Sequence, residues 1–116
     1  MVENSKTYEH LHEYKSSIVC LPQGCCVEPP SQALRRETEG VVWCAVNCDA
    51  VIWFPTGQPF GWERKDAPRG TPVHSGAPTV LGVFPYAVYC TRPGEGLREE
   101  VGDFAKGSSP PKIIVW

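Results

Sequence analysis

The sequence predicts an all-β fold, and three observations lead to that class. Apolar residues recur at every second position from Phe84 to Cys90, which is the period of a strand with one buried face. Two shorter apolar runs, residues 41–46 and 50–54, predict two further strands separated by a turn. Twelve prolines and 11 glycines are scattered between such runs, as is typical of short strands joined by turns. A chain of 116 residues is long enough for one compact core.

The chain divides into an N-terminal arm and one domain in this interpretation. Residues 1–15 are polar and carry only weak helical spacing, so we expect either a frayed arm or a short amphipathic turn there. Residues 16–116 are assigned to a single β-sandwich domain. No internal repeat divides that domain further.

The other elements of the domain are short, because proline and glycine interrupt them. A first strand, a short extended segment and a closing strand are expected at residues 16–21, 26–30 and 112–116, respectively. Residues 31–37 are compatible with a helical turn, and residues 55–78 are expected to be irregular. The long strand covers residues 79–91, and the polar, glycine-rich segment after it is interpreted as a connection.

Composition and charge argue against several classes of function. With 11 basic and 13 acidic residues the formal net charge is −2, which gives no electrostatic case for binding nucleic acid or an anionic membrane. No apolar run approaches the ~20 residues that span a bilayer, and the first residues lack the apolar core of a signal peptide. A cytoplasmic location is therefore expected. Glycine-rich phosphate loops, GxSxG elbows and HExxH pairs are missing, so neither catalysis nor a cofactor is predicted.

The second half of the chain carries a more specific pattern. Residues 86–90 read Tyr-Ala-Val-Tyr-Cys, and this segment resembles the strand with which plastocyanin-like cupredoxins present a copper-binding cysteine. Residues 40–43, 51–54 and 110–115 are similar to other strands of that family, so the resemblance covers residues 40–116. It implies a cupredoxin-like Greek-key β-sandwich.

The resemblance does not extend to the family's complete set of copper ligands. In cupredoxins a histidine and a methionine follow the cysteine, whereas residues 91–98 contain neither. The family's first histidine precedes the strand that residues 51–54 resemble, and here Cys48 and Asp49 stand in that region. Of the family's ligands, the resemblance carries over only Cys90.

The histidines of this chain do not complete the set. A blue-copper centre requires two imidazoles and a thiolate in one plane. His10 and His12 lie in the predicted arm, and His74 lies in a predicted loop, where a histidine is expected to be exposed to solvent. We therefore expect no conventional copper site.

Six cysteines leave three interpretations open. Their even number suits disulfides in an oxidising compartment, whereas thiols stay reduced in a cytosol. A buried cysteine also serves as a small core residue, which is the plainest interpretation of Cys90. The third interpretation is a soft-metal site for zinc or cuprous copper, formed chiefly by Cys90 with Cys48 or Cys44.

An aromatic and basic segment follows the strand at 50–54. Phe60 and Trp62 precede Arg64 and Arg69, and aromatic rings near cations form recognition patches on proteins. Aromatic side chains also pack against the ends of sandwiches, and the charges of this segment partly cancel. Loop packing and partner binding both remain open for these four residues.

Two functions from different classes follow from these observations. The leading hypothesis is a non-catalytic cupredoxin-like module that binds a protein partner through the aromatic and basic segment. The alternative is a protein that binds a soft metal, zinc or cuprous copper, or acts in redox chemistry or electron transfer, and that uses the three cysteines named above.

Overall fold

The computed structural model describes residues 11–22, 24–91 and 110–116. Within these ranges all regular elements are β-strands, and no helix occurs. The all-β prediction is therefore confirmed. The strands are β1 (His12–Leu21), β2 (Gly24–Glu28), β3 (Ser31–Leu34), β4 (Glu39–Ala45), β5 (Asp49–Trp53), β6 (Arg64–Ala67), β7 (Val73–His74), β8 (Gly82–Pro85), β9 (Ala87–Thr91) and β10 (Lys112–Val115).

The strands form three sheets, which we name by a central strand. The β1 sheet has the order β2-β1-β4-β7, the β10 sheet has the order β3-β10-β8, and the β5 sheet has the order β6-β5-β9. The pairs β1–β4 and β3–β10 are parallel, and the other pairs are antiparallel. Only Tyr86 separates β8 from β9, and its backbone N–H donates to the Pro111 carbonyl over 2.9 Å. The β10 and β5 sheets therefore adjoin along this one chain segment.

Buried side chains from all three sheets form one core cluster. In the segment 86–90 the side chains of Tyr86, Val88 and Cys90 are buried, as the two-residue period predicts. Phe84 is half-buried and packs against the same cluster. Fully burying a large apolar side chain stabilises a fold by roughly 1.5–3 kcal/mol, so this cluster is the main source of stability. Its largest fully buried members include Trp43, Tyr86, Phe54, Ile18, Leu34, Ile52 and Ile113.

The first strand begins earlier than the sequence predicts. Residues 12–15, expected in a polar arm, belong to β1 and pair with residues 39–42 of β4. Polar side chains such as Glu13 and Lys15 hide the apolar pattern by which a strand is predicted. The strand forms nevertheless, because the parallel ladder is made by backbone groups and does not depend on side-chain polarity. Residues 1–10 of the expected arm lie outside the described residues.

Three other segments also differ from their predicted structure. Residues 31–34 form strand β3 rather than a helical turn, because the ladder to β10 and the burial of Leu34 outweigh weak local helix preference. Residues 55–78, expected to be irregular, contain the short strands β6 and β7. The predicted strand 79–91 is divided into β8 and β9, which pair with different neighbours. The predicted connection after it lies mostly outside the described residues.

Candidate functional site

Five aromatic rings form a cluster in and beside the core. Contacting pairs have ring centroids 5.0–6.2 Å apart, mostly in edge-to-face geometry. Such pairs contribute about 0.5–1.5 kcal/mol each beyond the burial of their area. The cluster therefore holds the loop between β5 and β6 against strand β4. Its members are Trp43, Phe54, Phe60, Trp62 and Tyr86.

The polar atoms of this aromatic cluster have hydrogen-bond partners. The indole N–H of Trp43 donates to the Tyr86 hydroxyl over 3.2 Å, and that of Trp62 donates to the Ser75 carbonyl over 3.0 Å. The buried Ser75 hydroxyl accepts the backbone N–H of Val41 over 2.9 Å. Because an unpaired buried donor costs ~1–3 kcal/mol, these bonds fix the orientation of both indoles.

The ionisation of the Tyr86 phenol is clearly perturbed. Burial raises the pKa of its phenol to about 12, and hydrogen bonds from Trp43 and Ser16 offset part of that effect. The side chain is only 1% exposed. Tyr86 is therefore a neutral core group at physiological pH.

The four residues predicted to bind a partner divide into two environments. Phe60 and Trp62 are half-buried, and their rings stack with centroids 5.8 Å apart inside the aromatic cluster. Arg64 lies on β6 and Arg69 follows it, and both side chains are exposed. Most of the aromatic surface is thus used in packing, while the guanidinium groups remain accessible.

The described histidines lie on the β1 sheet, whereas Cys90 lies on strand β9 of the β5 sheet. His74 is in β7 rather than in a loop, and its Nδ1 lies 2.8 Å from a Glu13 carboxylate oxygen. Its side chain is exposed, as predicted. His12 is exposed on β1, with its ring centroid 4.7 Å from that of Tyr14. His10 lies outside the described residues.

One disulfide resolves part of the cysteine question. It joins Cys25 of β2 to Cys90 of β9, with Cα atoms 6.5 Å apart, and so links the β1 sheet to the β5 sheet. Cys48 is buried in the core, whereas Cys44 alternates with the buried Trp43 and lies half-buried on the other face of β4. The three cysteines of the predicted metal set therefore do not share one face. Among the described residues, no three His, Cys, Asp or Glu side chains are arranged to hold a metal ion.

Sequence reasoning missed an exposed apolar face on the β10 sheet. In its central row, Ile114 pairs with Ala33 on one side and with Val83 on the other. Ala33 and Val83 are exposed and Ile114 is half-buried. The signal in the sequence is that residues 80–84 are apolar on both faces of the strand, so only one of those faces can enter the core.

Exposed apolar residues also lie directly before β8 and directly after β10. Val80, Leu81, Val83 and Trp116 are 48%, 55%, 60% and 57% exposed, respectively. The guanidinium carbon of Arg35 lies 4.6 Å from the centroid of the Trp116 ring, which places a cation on an exposed aromatic surface. Scattered single apolar residues are normal on a surface, but adjacent ones mark interaction sites.

Comparison with known proteins does not add a function. No protein-family model matches this sequence, and no curated protein is similar to it. In the part of the chain that the structure describes, no helix has the length and apolar character of a bilayer span. The functional argument therefore depends on the fold, the cysteines and the exposed apolar face.

Proposed function

We propose that this chain is a non-catalytic, cupredoxin-like interaction module that binds a protein partner through the exposed apolar face of the β10 sheet. The observation that carries the proposal is the exposure of Val83 on β8, of Val80 and Leu81 just before that strand, and of Trp116 just after its partner strand β10, each about half exposed. Exposed apolar surface of this kind is costly in water unless a partner covers it.

The strand positions support the cupredoxin-like part of the proposal. The segments that carry the family resemblance, residues 40–43, 51–54, 86–90 and 110–115, coincide largely with β4, β5, β9 and β10. Two of these strands, β5 and β9, pair directly. The Greek-key arrangement of that family is therefore the topology that we propose for this domain.

The charges beside the apolar face indicate the chemistry of the partner. Arg35 lies over Trp116, Arg36 is exposed next to it in the chain, and Lys112 is half-buried at the start of β10. An arginine that already rests on an aromatic ring loses little side-chain freedom on binding. The expected partner is a protein surface with aliphatic side chains at its centre and carboxylates at its edge.

The compartment is part of the same proposal. Structural disulfides persist in oxidising compartments and are rare in the cytosol, so the Cys25–Cys90 bridge favours an oxidising location. The cytoplasmic location expected from the sequence remains a prediction that the state of this bridge in cells would test.

The test compares two surfaces of the same full chain. A partner captured from extract of the source organism is purified, and its affinity is measured by calorimetry for the parent chain, Val83→Glu, and the double variant Trp62→Ala/Arg64→Ala. We expect Val83→Glu to weaken binding by roughly 30-fold, the effect of losing a hot-spot contact of about 2 kcal/mol. The thermal midpoint of Val83→Glu should stay that of the parent, because Val83 is exposed.

The double variant separates this proposal from the original sequence hypothesis. Loss of binding in Trp62→Ala/Arg64→Ala, with normal folding and normal binding by Val83→Glu, would move the site to the aromatic and basic segment. If both variants bind as tightly as the parent, neither surface is the binding site and the proposal fails.

A further inference from the structure

A third cysteine lies directly opposite one end of the disulfide. Cys20 of β1 and Cys25 of β2 are register partners in an antiparallel pair, so their side chains point to the same face of the sheet. That face is the core face, because both residues are only 6% exposed. Cys25 is joined to Cys90, whereas Cys20 carries a thiol.

The backbone hydrogen bonds show which kind of register pair this is. The N–H of Cys20 donates to the Asn47 side-chain oxygen over 2.8 Å, and its carbonyl accepts the Asn47 amide N–H over 3.0 Å. Asn47 follows β4, so both backbone groups of Cys20 point away from β2. Cys20 and Cys25 are therefore a non-hydrogen-bonded pair, the kind whose Cα atoms approach to about 4.5 Å.

That separation suits a disulfide. Bridged cysteines have Cα atoms roughly 4.4–6.8 Å apart, and a non-hydrogen-bonded antiparallel pair falls at the short end of that range. Cys25 thus has two sulfurs within bridging reach, Cys90 across the core and Cys20 across the ladder. By contrast, Cys26 pairs with Val19 on the opposite face and is not positioned for this exchange.

We propose that the disulfide of this domain has two positions and that Cys20 is the thiol that moves it. The Cys20 thiol loses its proton to solvent, and the thiolate attacks Sγ of Cys25. The Cys20–Cys25 bond forms as the Cys25–Cys90 bond breaks, and Cys90 leaves as a thiolate that takes up a proton. One disulfide and one thiol are present before and after, so the step needs no external oxidant or reductant.

The two isomers differ in what they hold together. The Cys25–Cys90 bridge joins two sheets and spans 65 residues of sequence, whereas a Cys20–Cys25 bridge stays within the β1 sheet. Moving the bridge releases the covalent link between the sheets and leaves Cys90, which is buried near the end of β9, as a thiol. The exchange is therefore a switch in the cross-linking of the core, and it is independent of the proposed partner-binding face.

A variant lacking Cys90 tests whether Cys20 is the alternative partner. After oxidation with oxidised glutathione, we expect Cys90→Ser to contain a Cys20–Cys25 bridge in peptide mapping by mass spectrometry. The matched variant Cys20→Ser/Cys90→Ser should retain Cys25 as a glutathione adduct, and Cys26→Ser/Cys90→Ser should still form the Cys20–Cys25 bridge. Pairing of Cys25 with any other cysteine in Cys90→Ser would overturn the proposal.

The parent chain provides a test that does not depend on the folding of a variant. The chain is incubated without any added thiol, quenched with acid, unfolded, alkylated and mapped. We expect a population in which Cys90 is alkylated while Cys20 and Cys25 are protected. If Cys90 is alkylated only in molecules that also carry an alkylated Cys25, the exchange does not occur.

Discussion

Burial of the Tyr86 hydroxyl makes the stability of this domain sensitive to alkaline pH. The pKa of the phenol is raised from 10.0 to about 12 in the folded chain, so the folded state holds this proton more tightly than the unfolded state. The stabilisation is fully present below about pH 10 and is lost as the pH rises towards 12. Two pH units at about 1.4 kcal/mol each give a loss of about 3 kcal/mol, of which roughly 2 kcal/mol should be visible by about pH 11.5.

The assay is urea unfolding of the parent chain and Tyr86→Phe at several pH values between about 9 and 11.5. Other tyrosines and the lysines titrate in both proteins, so the difference between the two free energies of unfolding isolates Tyr86. At the lower pH, Tyr86→Phe should be less stable by about 1–2 kcal/mol, because the Trp43 indole N–H loses its acceptor. The advantage of the parent should then shrink and vanish as the pH rises.

The same experiment can refute the reasoning. If the difference between parent and Tyr86→Phe stays constant within about 0.5 kcal/mol over this pH range, the hydroxyl ionises as easily in the folded chain as in the unfolded one. Absorbance of tyrosinate gives an independent reading, since one tyrosine fewer should titrate below pH 11 in the folded parent than after unfolding.

Two further predictions concern the core and the first strand. Val88→Asp should prevent folding, as judged by circular dichroism and thermal unfolding, because it buries an unpaired charge at a fully buried position. The control Val83→Asp, on the exposed face of β8, should fold normally. Equal stability of the two variants would show that the inward face is misassigned. Deleting residues 1–15 should lower the free energy of unfolding by roughly 2 kcal/mol or more relative to deleting residues 1–10, because residues 12–15 pair with β4. Equal stability of the two truncated chains would mean that the pairing of residues 12–15 contributes nothing to the stability of the fold.

The inward face of β9 could be predicted because one pattern determines it. Tyr86, Val88 and Cys90 alternate with residues of the other face, and a one-residue shift would move the whole set out of the core. The polar start of β1 gives no such pattern. Its place in the sheet depends on backbone pairing with β4, which lies more than 20 residues later in the chain and is invisible to local periodicity.

The cysteine pairing and the exposed apolar face were beyond the reach of sequence spacing for another reason. Cys25 and Cys90 are 65 positions apart, and six cysteines allow many connectivities, so the pairing depends on which strands oppose each other across the core. Similarly, Leu81 and Val83 are as apolar as core residues. Their exposure follows from the division of the predicted long strand into β8 and β9, which turns Phe84 inwards and leaves its neighbours outside.

The central position of β10 in its sheet has a consequence for synthesis of the chain. Strands β3 and β8 lie on either side of β10, so both leave the ribosome before the strand that they pair with. Until Lys112 to Val115 emerges, the nascent chain presents two unpaired strand edges, one of them carrying the exposed Val83. Such edges pair readily with other chains. This sheet is therefore completed only after β10 has been synthesised, and until then aggregation or assistance by a chaperone competes with folding.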